Sequence, residues 1–104
     1  MGMPWTGKLV QERLRAAMAV ERRPKGERTT LDTLRAQEAF GWLCLVDKSE
    51  RQYLTAQALA TDCGQPIRRM LAARGWPRTT FYRAVGCAAS RIAAELEAHG
   101  VPVR

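Results

Sequence analysis

Two amphipathic runs separated by Gly75-Trp76-Pro77 constrain this chain more than any other feature. The first run is Pro66-Ile67-Arg68-Arg69-Met70-Leu71-Ala72-Ala73-Arg74. The second opens as Arg78-Thr79-Thr80-Phe81-Tyr82-Arg83-Ala84-Val85 and continues through Ile92 to Leu96. Ile67, Met70 and Leu71 make one buried stripe. Phe81, Val85, Ala88, Ile92 and Leu96 (Glu95 on one register) trace another face at near-helical spacing. Pro66 fits the first position of a helix, where a missing N–H is harmless, and Gly75 suits a left-handed C-cap. The later helix starts at Pro77 or Arg78 and stops at Gly100. Short helix, glycine turn, longer helix predicts a helix-turn-helix over 66–98.

Charge sharpens that expectation. Between Asp62 and Glu95 stand Arg68, Arg69, Arg74, Arg78, Arg83 and Arg91, with no acid among them. Residues 1–47 are net +2, residues 48–65 are neutral, and residues 66–104 are net +5, so the excess sits where the two runs sit. With a total of +7, the chain is suited to nucleic acid or another anionic surface.

The remainder reads as three more helices. Met1 to Trp5 is expected to be loose, with Thr6 capping a first helix to about Arg22. Val10, Leu14, Ala17 and Met18 form its apolar face, and Pro24-Lys25-Gly26 ends it. Thr30 is the expected cap of a second helix, Leu31 to about Val46, with Asp32 in its first turn. Its second half, including Phe40, Trp42, Leu43, Leu45 and Val46, is apolar nearly all round. Such a helix is central to a core or meets a second subunit. Asp47-Lys48-Ser49-Glu50 has capping-box spacing and opens a third helix to about Ala60, with Leu54, Ala58 and Tyr53 inward. A turn over Thr61 to Gln65 follows, and Val101-Pro102-Val103-Arg104 trails off. The expected fold is therefore all-α: one helical domain over 1–104, about five helices, with residues 1–60 as a scaffold and oligomerisation unit carrying the C-terminal helix-turn-helix. A chain of 104 residues supports only a modest core.

Composition narrows the function. No apolar run is long enough to cross a membrane, and the N-terminus lacks a signal-peptide core, which suits a cytoplasmic protein without membrane partners. Cys44, Cys63 and Cys87 are an odd, widely spaced set, expected as free thiols that serve as small buried hydrophobes. Zinc held by the three with His99 would lack any close ligand pair. His99 reads as a solvated helix-end residue, and Glu12, Glu27, Glu38 and Glu50 as surface charges. No phosphate-binding glycine loop or metal motif is present, so no cofactor is expected and enzyme activity is not.

Within the two runs, Trp76 is placed to plug the gap between the helices, and Phe81 and Val85 point to the core. The polar start of the second helix offers Arg78, Thr79, Tyr82 and Arg83 to a DNA groove. Arginine pairs bidentately with guanine edges, whereas Thr and Tyr more often hold phosphate. Arg68, Arg69 and Arg74 lie on the preceding helix, which in such motifs crosses the backbone, and read as phosphate contacts. Arg78 and Arg83 are separated by about 140° around a helix axis. Arg83 with its neighbour Thr79 is therefore expected at base edges, and Arg78 at phosphate.

The segment LAARGWPRTTFYRAVGCAASRIAAEL resembles the C-terminal helix-turn-helix of sigma-factor region 4 and of related phage regulators. Arg-Gly-Trp-Pro ahead of such a helix is also similar to short phage and prophage proteins and activators of gene-transfer agents. The match covers about a quarter of the chain, and Pro77 stands where the sigma pattern prefers a serine cap. The resemblance implies a double-stranded-DNA-binding transcriptional regulator of phage, prophage or gene-transfer-agent genes, with RNA polymerase as a further partner. A homodimer through the first two helices is expected from the apolar second helix. Two other readings stay open: a small terminase subunit in DNA packaging, and a helical protein-binding adaptor or inhibitor working through Trp42 and its neighbours.

Overall fold

The computed structural model describes residues 4–103. Five α-helices follow one another: α1 (Gly7–Arg22), α2 (Thr30–Trp42), α3 (Lys48–Cys63), α4 (Ile67–Arg74) and α5 (Arg78–Ala98). Short 3-10 turns occupy Lys25–Glu27 and Leu43–Leu45. No strand forms among the described residues, so the fold is all-α as expected. None of their helices is long and apolar enough to cross a membrane.

Local chemistry sets the helix starts. The Thr6 hydroxyl accepts the Leu9 N–H at 3.1 Å and caps α1. The cap of α2 is Thr29, one residue before the expected Thr30. From Thr29, Asp32 falls at the third helical position, so the two side chains satisfy each other's backbone N–H groups in a capping box. Asp47 and Glu50 form the expected second box at the start of α3. The helix ends are less regular. α2 stops at Trp42 rather than Val46, its last turn tightening into the 3-10 segment. α3 runs three residues beyond Ala60, so Thr61 to Cys63 are helical and Gly64 alone makes the left-handed cap.

Packing places α1 against α2, α3 and α5, while α3 also carries α5 and α4. Val10 and Leu14 of α1, Leu54 of α3, and Phe81 and Ile92 of α5 are the largest fully buried side chains. Burial of such side chains contributes roughly 1.5–3 kcal/mol each. Alanines fill the remaining interior, from Ala17, Ala36 and Ala39 to Ala88, Ala89 and Ala93. Among the described glycines, Gly7 has the least room: a Cβ there would lie 3.2 Å from Ser90 Oγ and 3.5 Å from Ala89 Cβ.

The chain ends depart from the sequence expectation. Met1 to Met3 and Arg104 lie outside the described residues, but Trp5 is not loose. It is buried, its backbone N–H donates to Glu97 Oε1, and its Nε1 donates to the Val101 carbonyl at 2.8 Å. The ring meets Trp42 edge-on at 5.2 Å. Val101 and Val103 pack on the same core instead of trailing off. The physical reason is that a large ring next to the cap of α1 buries more apolar surface by folding back than by remaining in water. Met18 is only half-buried.

Candidate nucleic-acid interface

The connection between α4 and α5 is fixed from its backbone outward. Gly75 has φ 67°, the left-handed conformation that side chains with a Cβ resist. The Trp76 N–H returns to the Leu71 carbonyl at 3.1 Å and the Gly75 N–H to the Ala72 carbonyl at 3.3 Å, the paired bonds of a Schellman cap. Pro77 then caps α5 with no side-chain hydrogen bond. Pro66 does the same for α4, one position outside the helix it was expected to begin.

An aromatic cluster anchors this turn. Trp76 is half-buried, edge-on to Tyr53 of α3 at 4.8 Å and near-parallel to Phe81 at 6.2 Å. Tyr53 also meets Phe81 edge-on at 5.8 Å. Trp76 thus packs between rings of α3 and α5. Phe81 and Val85 are buried as expected, with Ala88, Ile92 and Leu96 below them.

All seven sequence-predicted site residues are exposed: Arg68, Arg69 and Arg74 on α4, and Arg78, Thr79, Tyr82 and Arg83 on the first turns of α5. Arg68, Arg69 and Arg83 make no ion pair among the described residues. Arg74 and Arg78 lie over aromatic rings instead, with guanidinium carbons 4.9 Å from the Trp76 centroid and 5.9 Å from the Tyr82 centroid. A guanidinium stacked on a ring keeps its N–H edges for an outside acceptor. These residues flank one short turn in sequence and share no acidic neighbour.

Arg91 differs from the rest of the run. Its guanidinium bonds Glu50 Oε1 at 2.7 Å, and the Glu50 side chain is only 11% exposed. Glu50 was expected as a surface charge. It is buried because the α3 capping box turns it back toward the helix start, where α5 covers it. No spacing within the sequence reveals that pairing, since the partners are 41 residues apart. The role of Tyr53 as a support for Trp76 was equally hidden.

Elsewhere, Arg22 bonds Asp62 at 2.6 Å, and the hydrogen bond to that carboxylate raises the arginine's pKa above its ordinary value. Asp32 is held below the usual carboxylate range, chiefly by hydrogen bonding from Thr29. His99 is solvated, with Nε2 3.4 Å from Glu95 Oε2. Cys44, Cys63 and Cys87 are free thiols, but all three are exposed rather than buried: in the 3-10 turn, at the last residue of α3 and on the outer face of α5. No group of three His, Cys, Asp or Glu side chains gathers among the described residues. No protein family, curated protein or solved structure matches the chain.

Proposed function

We propose that this protein binds double-stranded DNA through a helix-turn-helix formed by α4 and α5, and acts as a transcriptional regulator. One observation carries the reading: the exposed arginines around the Gly75-Trp76-Pro77 turn have no acidic partner, while the turn itself is held by a glycine cap and a cluster of rings. A purely structural hairpin has no need for that one-sided charge. In this reading α5 lies in the major groove. Arg83 and Thr79 address base edges, Arg78 grips phosphate at the helix entrance, and Arg68, Arg69 and Arg74 hold the backbone. Phage, prophage or gene-transfer-agent genes are the targets that the resemblance of the α4–α5 segment implies, and contact with RNA polymerase belongs to the same reading.

A symmetric dimer completes the proposal. Leu31 and Leu34 of α2 are 53% and 57% exposed and lie three residues apart on one helix face, a surface that a second copy would cover. Light scattering is expected to report a dimer, and a monomer at high concentration contradicts this part. A large closed ring instead favours a terminase subunit. The test of the main reading is titration of duplex DNA at low salt. Binding is expected, and its absence favours a protein-binding adaptor.

A further inference from the structure

Arg74, Trp76, Phe81, Tyr82 and Arg78 form a continuous ladder. Arg74 sits over Trp76, Trp76 lies near-parallel to Phe81, Phe81 meets Tyr82 edge-on at 5.3 Å, and Arg78 sits over Tyr82. The middle rung, Phe81, is fully buried, and Tyr53 braces it from α3. The outer rungs are the two arginines on either side of the turn. Each arginine is attached to the core through a ring rather than through an acid. The Tyr82 side is the more accessible end, with Tyr82 44% exposed.

An exposed arginine normally samples many rotamers, and immobilising such a side chain on a ligand costs about 0.5–1.5 kcal/mol. A ring face beneath the guanidinium removes part of that freedom beforehand without neutralising the charge. An acidic partner would also restrain the arginine, but it would compete with phosphate. The ladder therefore supplies order and leaves the charge available. The Tyr82 hydroxyl makes no hydrogen bond among the described residues, so nothing within the protein depends on it.

We infer that Tyr82 is a positioning residue: its ring holds Arg78 in the orientation that meets a DNA phosphate. This rests on the DNA-binding reading above and sharpens it, because it assigns Tyr82 to Arg78 rather than to the nucleic acid.

The experiment compares the 104-residue chain with Tyr82→Phe, Tyr82→Leu, Arg78→Ala and the Arg78→Ala/Tyr82→Leu double variant. Affinity for one duplex DNA is measured across a salt series, with a thermal melt on each protein. Tyr82→Phe keeps the ring beneath Arg78 and is expected to bind more tightly than Tyr82→Leu. Tyr82→Leu is expected to weaken binding by about two- to threefold, part of the ordering cost of one side chain. Its log-log salt slope is expected to stay that of the parent, because Arg78 still reaches phosphate once bound, whereas Arg78→Ala loses about 0.9. In the double variant, the leucine is expected to add nothing to the loss from Arg78→Ala. Loss of affinity in Tyr82→Phe equal to that in Tyr82→Leu overturns the inference, since it assigns the effect to the hydroxyl. Additive losses in the double variant overturn it too. A parent that binds no DNA at low salt instead overturns the proposed function, and this inference falls with it.

Discussion

Two helix junctions in this protein use arginine in opposite ways. Between α1 and α2, arginines are internal staples. Arg22 pairs with Asp62, Arg23 with Asp32 at 3.1 Å, and Arg28 donates to the carbonyls of Arg23 and Glu21. The start of α2 adds a full capping box. Between α4 and α5, neither helix start has a side-chain cap, and no arginine meets an acid. A left-handed glycine and packed rings hold that turn. The same cation thus serves the fold at one junction and stands toward solvent at the other. The difference lies in what the neighbouring residues leave for it to do. Where backbone and rings already fix a turn, its charges remain available to a partner.

The largest expected effect breaks the apolar side of the α4–α5 junction. Phe81→Ala removes a fully buried ring shared by the turn and α5, and is expected to lower stability by roughly 3–5 kcal/mol in denaturant or thermal unfolding. Normal folding with lost DNA binding would mean that Phe81 faces the groove, and the facing set would need reassignment.

Arg91→Ala comes next, because Arg91 belongs to the acid-free run in sequence but to the fold in space. Its loss leaves the buried Glu50 carboxylate without its guanidinium, for about 1–3 kcal/mol of stability, with DNA affinity of the folded protein unchanged. Arg83→Ala should show the reverse: an unchanged melt, and a loss of about 1–3 kcal/mol on a preferred site with relaxed sequence preference. Arg78→Ala should weaken all sequences alike. If Arg91 and Arg83 variants behave identically, the contrast between paired and unpaired arginines fails.

The smallest effect is at the other junction. Asp32 has a folded pKa below its unfolded value, so its contribution to stability is fully present above the ordinary carboxylate pKa of about 3.9. It fades as pH falls through that value toward the lower folded one. An acid titration of Asp32→Asn against the parent is expected to show the difference between them shrinking below about pH 4. A difference that grows on acidification would reverse the sign and contradict the cap.

The elements with strong local chemistry were legible in the sequence. Gly75 predicted the end of α4, the Asp47–Glu50 spacing predicted the start of α3, and the Phe81-Val85-Ala88-Ile92-Leu96 face predicted the buried side of α5. What depended on distant partners was not. Trp5 is adjacent to a helix cap and reads as terminal, yet its hydrogen bonds run to Glu97 and Val101. Glu50 reads as a surface acid until α5 is laid over it. Cysteine's general tendency to be buried misplaced all three thiols, since helix ends and outer faces decide exposure here. For the candidate interface, exposure of the seven residues followed from helical spacing, whereas the rings beneath Arg74 and Arg78 required tertiary geometry.

The salt dependence of duplex DNA binding tests the central claim most directly. Four arginines assigned to phosphate, Arg68, Arg69, Arg74 and Arg78, predict a slope of about −3.6 in log affinity against log salt, at about −0.9 per contact. Arg68→Ala/Arg69→Ala should make that slope about 1.8 units shallower while leaving the melt unchanged. A flat salt dependence in the parent, or a slope that the double variant does not alter, would contradict the assignment of the α4–α5 junction to DNA.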